Sequence, residues 1–240
     1  MGEIMVECKD EKLKDSVFEQ VIEVEGKTKN AIEIKPRLFA EQLFVFDKWI
    51  MKGLTVGDVL DQSDNFKIYS KRISCIEYIT QAFLIGSEKK RKTFEFFVDV
   101  SEECVLCGEY NNAFLLFTSI NSLILKFAEE WQNIGKTQAE KFKRLQMIFG
   151  ISQTKFYNKH FSEYTGTKVP IIANVIAIVE RSKETKLSEL SGEELNKAFA
   201  LKLRTVGAVI EPLYHCLNSE TPFTPLADLQ KFFWRCVNSN

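Results

Sequence analysis

The sequence is poor in histidine, a side chain that commonly serves as a metal ligand and as an acid–base catalyst. Its 240 residues include two histidines, His160 and His215, and neither belongs to a paired metal-binding motif. A glycine-rich phosphate loop after a strand and a Ser-His-Asp arrangement are also missing from the sequence. These absences favour a protein that binds other molecules over one that performs covalent chemistry. We expect neither a metal nor a cofactor.

Long apolar runs and an excess of charge of one sign are absent as well. No run approaches the roughly 20 apolar residues that span a bilayer, and the N-terminal sequence MGEIMVECKDEK lacks the apolar core of a secretory signal. The formal net charge of −1 gives no reason to expect a nucleic acid as a partner. We therefore expect a cytoplasmic protein with no nucleic-acid partner and no stable membrane insertion.

The 5 prolines and 11 glycines interrupt a sequence whose periodicity is mainly helical. Residues 1–35 are the exception, because VIEVEGKTKNAIEI alternates apolar and polar residues on both sides of a turn, which predicts a small hairpin. From Pro36 onward, apolar residues recur at helical spacing. We predict an all-α protein, with a small N-terminal extension at 1–35 and a single helical domain at 36–240.

The segment from Ser101 to Trp131 carries a dense apolar helix pattern. Steps of three and four place one set of residues on a single face: Ala113, Phe114, Phe117, Ile120 and Ile124. Neighbouring leucines widen this face, which predicts a helix surrounded by the core. Asn111 and Asn112 stand at its start, where one short polar side chain can cap the first turn. The second asparagine is then a polar group at the edge of the core and a candidate functional residue.

Cys104 and Cys107 form a Cys-x-x-Cys pair, which is compatible with redox chemistry or with half of a zinc site. A zinc site needs two further ligands at a suitable spacing, and the isolated histidines do not provide them. On a helix, positions 104 and 107 share a face. We favour two buried thiols without a chemical role.

Four stretches follow one another in a recognisable order. The first is PRLFAEQLFVFDKWIMKGLTVGDVL at 36–60, and the second is FVDVSEECVLCGEYNNAFLLFTSINSLILKFAEEW at 97–131. The third runs from Tyr164 to Glu184 and contains Val-Pro, and the last is LNSETPFTPLADLQKFF. Together, over about residues 36–236, they resemble the catalytic domain of Ras-family guanine-nucleotide exchange factors.

The resemblance implies an all-helical domain with a protruding helical hairpin and a Ras-family small GTPase of the Ras, Rap or Ral type as partner. Such a domain inserts its hairpin at the switch regions of the GTPase and promotes GDP release without changing a covalent bond. Tight binding of the nucleotide-free GTPase weakens nucleotide binding by thermodynamic reciprocity. The GTPase can in turn recruit the exchange factor to membranes.

The resemblance also implies roles for individual residues. Two positions match catalytic residues of the family, and four match the surface that binds the GTPase: Asn111 and Glu184 in the first group, and Arg72, Ser74, Glu180 and Arg181 in the second. A second hypothesis is a degenerate exchange domain that serves as a protein-binding scaffold and releases no nucleotide.

Overall fold

The computed structural model describes residues 21–24, 27–150, 154–183 and 190–238, and the fold is all-α. Two short strands, β1 (Val21–Val24) and β2 (Lys27–Asn30), precede a 3-10 turn at Ala31–Glu33. The α-helices that follow are α1 (Pro36–Ile50), α2 (Val56–Leu60), α3 (Asp64–Ile73), α4 (Cys75–Gly86), α5 (Lys90–Leu106), α6 (Tyr110–Leu123), α7 (Ala128–Gln132), α8 (Lys136–Phe149), α9 (Thr154–Glu163), α10 (Ile172–Lys183), α11 (Gly192–Asn218) and α12 (Ala227–Asn238).

The two strands lie in the segment where alternation predicts a hairpin. They pair antiparallel, with Val21 opposite Asn30. Ile22, together with Ala31 and Ile34 just after the strands, is buried in the same core as the helices, and β1 packs against α12. The hairpin is therefore attached to the helices through apolar side chains, and the division of the chain at residue 35 stays a prediction.

Helix α1 begins with Pro36 at its first turn, where the missing N–H costs no hydrogen bond. Its side chains at Phe39, Leu43 and Phe46 are completely or almost completely buried. It packs against α5 and α12. The chain leaves the helix through Gly53, whose φ of +89° is accessible to glycine at little cost.

Helices α5 and α6 pack against each other at the centre of the core, and α1, α4 and α8 surround them. The prediction that the core surrounds α6 on nearly every side holds along most of the helix, and the exceptions in its last turn are Asn121 and Ser122, which are exposed. The helix also ends at Leu123, so that Ile124 lies beyond its last turn. The Ser122 hydroxyl donates to the Ser119 carbonyl at 2.8 Å, a local bond that competes with continued helix.

Helices α10 and α11 pack together, and both contact α2. One face of α10 is buried through Ile172, Val175 and Val179. The part of α11 from Gly192 to Pro212 has no buried residue, and the first buried side chain of this helix is Leu213. The greater part of α11 thus extends beyond the core with only α10 and α2 as its main neighbours.

Helix α11 continues through Pro212 to Asn218. A proline inside a helix removes one backbone hydrogen bond and usually breaks the helix. Here the turn beyond the proline is fixed by burial of Leu213 and Cys216. Tertiary packing therefore overrides the local preference.

Candidate functional site

Asn111 lies in the first turn of α6 and is 5% exposed. Its Nδ2 donates to Asp47 Oδ2 at 3.2 Å and to the Tyr69 hydroxyl oxygen at 3.1 Å. Its Oδ1 accepts from the backbone N–H of Ile172, the first residue of α10, at 3.3 Å. The amide of Asn111 thus connects α1 and α3 with the base of the α10–α11 pair.

The prediction that an asparagine caps α6 is wrong. The N-cap residue is Glu109, whose Oε1 accepts from the backbone N–H of Asn112 at 3.1 Å. Asn112 is fully buried, and its Nδ2 donates to the Leu43 carbonyl at 3.4 Å. The carboxyl group of Glu109 therefore accepts the free N–H group at the start of α6, and both asparagine side chains are buried.

The junction between α5 and α6 also holds the segment that enters α10. The backbone N–H of Tyr110 donates to the Val169 carbonyl at 3.1 Å, and the Val169 N–H donates to the Gly108 carbonyl at 2.9 Å. Gly108 has a φ of +87°, and a Cβ there would lie 2.6 Å from the Thr167 carbonyl oxygen. Only glycine allows this close approach of the two backbones.

Asp47, a residue that sequence reasoning missed, is the acid to which Asn111 and Tyr69 both donate. It is fully buried, and the Tyr69 hydroxyl donates to its Oδ1 at 3.0 Å. Burial raises the pKa of Asp47 to about 6, against the hydrogen bonds from Asn111 and Tyr69, which lower it. The sequence did contain a signal, since Asp47 is an acidic residue in the apolar stripe between Leu43 and Ile50 of α1.

Arg72 and Ser74 lie at the junction of α3 and α4. The guanidinium of Arg72 lies 5.3 Å from the ring centroid of Trp234, a cation–π distance. The Trp234 ring is in turn 5.3 Å from Trp49, which is 51% exposed. Ser74 is exposed, and its hydroxyl donates to the Lys71 carbonyl at 2.7 Å. Arg72 thus belongs to a partly exposed aromatic surface.

Glu180 and Arg181 lie near the end of α10. Glu180 Oε1 is 2.9 Å from Lys183 Nζ, and both side chains are about half exposed. Lys183 also donates to the Leu60 carbonyl at the end of α2, at 3.5 Å. Arg181 is exposed and borders a cavity of about 160 Å³ between α9, α10 and α11. Glu184 lies outside the described residues.

The predicted site residues therefore fall into separate groups. At 1.5 Å per residue, Glu180 lies about 12 Å along α10 from the turn that Asn111 contacts. Arg72 is one turn from Tyr69 on α3, and Tyr69 is hydrogen-bonded to Asn111. The structure thus links Asn111 to the helix that carries Arg72 and to the helix that carries Glu180.

The Cys-x-x-Cys pair is buried. Cys104 and Cys107 are almost inaccessible, and the Cys107 thiol donates to the Cys104 carbonyl with a sulfur-to-oxygen distance of 3.3 Å. Burial raises the pKa of Cys107 to about 12, and that of Cys104 is also raised by burial. Thiols with such pKa values are protonated at neutral pH and are poor nucleophiles and metal ligands.

The part of the chain that the structure describes contains neither a cluster of metal ligands nor a membrane-spanning helix. In the ranges given above, no group of three or more histidine, cysteine, aspartate or glutamate side chains is arranged to hold a metal ion. Within the same ranges, no helix combines the length and apolarity needed to cross a bilayer.

Comparison with known proteins gives a distant match to an exchange factor. No family model matches it. The chain is 25% identical over 207 residues to Ras guanine nucleotide exchange factor D of Dictyostelium discoideum. The match covers 78% of this chain and 30% of that protein, so the chain spans about a third of the length of its relative. The all-α fold and this match together give a distant, exchange-factor-like relationship.

Proposed function

We propose that the chain is a guanine-nucleotide exchange factor for a Ras-family small GTPase and that it promotes GDP release by inserting α10 and α11 at the switch regions. The observation that supports this most directly is the α10–α11 pair, of which α11 has no buried residue before Leu213. The similarity to a Ras exchange factor supports the choice of partner. The type of GTPase, Ras, Rap or Ral, is part of the proposal.

The mechanism needs no covalent step. The exchange factor binds the nucleotide-free GTPase, and by thermodynamic reciprocity this binding lowers the affinity of the GTPase for its nucleotide. One exposed face of α10 carries Ala173, Ala177 and Arg181, spaced by one helical turn, and the last two border the cavity between α9, α10 and α11. Small side chains at the first two positions allow close approach of another protein to the helix.

The charged end of α10 provides the electrostatic part of the proposal. Glu180 on α10 and Glu184, which lies outside the described residues, compete with nucleotide phosphates for the positive groups of the GTPase, and Arg181 pairs with a GTPase carboxylate. The ion pair between Glu180 and Lys183 is half exposed, so breaking it on complex formation costs little.

The remaining proposed contacts lie on α3, α4 and α6. Arg72 and Ser74 contribute to the GTPase-binding surface beside the exposed Trp49. Asn111 is bonded to Ile172 and buried, so a direct contact with a GTPase switch requires that this bond opens. Membrane recruitment, where it occurs, proceeds through the lipid-anchored GTPase.

The deciding experiment is release of a fluorescent GDP from purified Ras, Rap and Ral proteins in the presence of the chain. We expect faster release from at least one of them. Ala173→Trp, which adds a bulky group to the exposed face of α10 outside that cavity, should abolish the acceleration. The matched control is Ala128→Trp on α7, which is also exposed and should leave release unchanged.

Two other outcomes are informative. Stable binding of a nucleotide-free GTPase without faster GDP release identifies a protein-binding scaffold. Absence of both binding and release for all GTPases tested, with a folded sample, overturns the proposal.

A further inference from the structure

Two acidic side chains, Asp47 on α1 and Glu109 before α6, meet in the core, and both residues are inaccessible to solvent. Each carboxyl group acts on the pKa of the other, Asp47 on Glu109 through its charge and both through a side-chain interaction. Glu109 Oε1 accepts from the Asn112 N–H, and its buried Oε2 receives no N–H or hydroxyl donor from the described residues. The second oxygen of Glu109 is therefore available to the neighbouring acid.

Two ionised carboxylates contain only acceptors, so a hydrogen bond between them requires a proton on one of them. The donors that reach Asp47 are the Tyr69 hydroxyl and the Asn111 amide. Both are better satisfied by an ionised Asp47, because hydrogen bonds to a charged acceptor are stronger. Glu109 is thus the acid that carries the proton and donates it to Asp47.

We propose that Asp47 and Glu109 share one proton and that this pair positions the first turn of α10 through Asn111. Asp47 accepts from Asn111 Nδ2 and thereby turns Asn111 Oδ1 toward the Ile172 N–H. Neither acid faces solvent or the outer surface of α10, so both act as positioning residues. Any consequence for nucleotide exchange rests on the proposed function, but the positioning itself does not.

The charges around the pair agree with one retained proton. On α1, Lys48 lowers the pKa of both acids, but its ammonium donates to the Cys216 carbonyl and to the Ser219 hydroxyl at 3.3 Å rather than to either carboxyl. The other titratable groups that interact with the pair are Tyr69 on α3, Cys75 on α4, Cys104 on α5, Cys107 at the end of α5, and Cys216 on α11.

Those five groups are neutral at pH 7, because burial raises the pKa of each of them above its ordinary value. They supply no counter-charge. Burial, followed by the charge of Asp47, also raises the pKa of Glu109 well above its ordinary value. The shared proton therefore removes most of the repulsion that two buried carboxylates would otherwise experience.

Glu109→Gln is the sharpest variant, because glutamine reproduces the protonated acid. Its amide can donate permanently to Asp47, and its oxygen can still accept from the Asn112 N–H. We expect hydrogen exchange at the Ile172 amide to stay within about twofold of wild type in this variant. Asp47→Leu leaves the donors of Tyr69 and Asn111 unsatisfied and should speed that exchange at least about fivefold.

Infrared spectroscopy of the intact chain gives an independent measurement that does not depend on any variant of Asp47 folding. The wild-type protein at pH 7 should show the carbonyl band of a protonated carboxylic acid, and Glu109→Gln should lack it. The matched control is Thr80→Val, which removes a buried hydroxyl from α4 and should change neither the band nor the relative exchange of Ile172.

Two results would overturn the proposal. One is the absence of a protonated carboxyl band from the wild-type protein at pH 7. The other is faster Ile172 exchange in Glu109→Gln than in Thr80→Val. Both measurements use the chain without a GTPase, so they stand even if no GTPase responds to it. Where exchange activity exists, Glu109→Gln should retain it and Asp47→Leu should lower it.

Discussion

The ammonium group of Lys48 on α1 donates a hydrogen bond to the backbone carbonyl of Cys216, in the last turn of α11. The same carbonyl also accepts from the Ser219 N–H and hydroxyl, and a cation at this helix end interacts favourably with the helix dipole. The contact joins α1 to the buried end of α11, the helix that extends from the core.

Lys48→Met should lower the free energy of unfolding by about 1–2 kcal/mol, because it keeps the aliphatic stem and removes the charged donor. Urea denaturation measures the change. Lys52→Met, at an exposed lysine on the turn after α1, is the control and should be nearly neutral. Equal stabilities of the two variants would contradict the role given to Lys48.

The pH dependence of stability should carry a contribution from Asp47. Its folded pKa of about 6 lies above the unfolded value of about 3.9, so the folded protein binds this proton more tightly. This group therefore adds stability as the pH falls from about 6 to about 4, and the contribution is lost as the pH rises through that window. Asp47→Asn should flatten this part of the profile, which denaturation at a series of pH values would measure.

Phe117→Ala should destabilise the protein by about 3–5 kcal/mol, the range for truncation of a buried aromatic side chain. Phe117 is 6% exposed, and its ring lies 5.3 Å from Phe142 and 5.8 Å from Phe149. Phe199→Ala on the extended part of α11 is the control, since Phe199 is 51% exposed. Chemical denaturation of both variants should show a loss for Phe117 alone.

Gly108→Ala should destabilise the junction of α5 and α6 by more than about 1 kcal/mol. The new Cβ would meet the Thr167 carbonyl at 2.6 Å in a backbone conformation that favours glycine. Gly57→Ala in α2 is the matched control, because its Cβ meets only an ordinary contact at 3.6 Å. Thermal melting should show a lower midpoint for the first variant and an unchanged or higher one for the second.

Asn111→Ala should cost about 1–3 kcal/mol of stability, since it leaves the Ile172 N–H without its acceptor in the core. Hydrogen exchange should rise first in α10 and less in α8, which Asn111 does not contact. Unchanged exchange in α10 would show that this side chain does not hold the helix.

The sequence predicted the features that depend on periodicity. The all-α class, α1 after Pro36 and the apolar face of α6 at Phe117 and Ile120 follow from repeated spacings of three and four residues. Such spacings reflect the burial of many residues, so a single residue that departs from the pattern does not change the prediction. The fold class was therefore accessible without coordinates.

The features that depend on a single contact were not predictable. Glu109 caps α6 although glutamate is not among the preferred cap residues, and the same carboxyl interacts with Asp47, more than sixty positions earlier in the chain. Similarly, the passage of α11 through Pro212 depends on burial of Leu213 and Cys216. Long-range packing of this kind leaves no local pattern in the sequence.

Pro212 divides α11 into an exposed segment and a buried segment. Since proline has no backbone N–H, the helical ladder lacks one rung at this point, and the division coincides with the change from exposed to buried side chains. The segment after the proline is held by burial of Leu213 and Cys216 and by the hydrogen bond from Lys48. The segment before it is held by its contacts with α10 and α2, so displacement of these helices would change the direction of that segment.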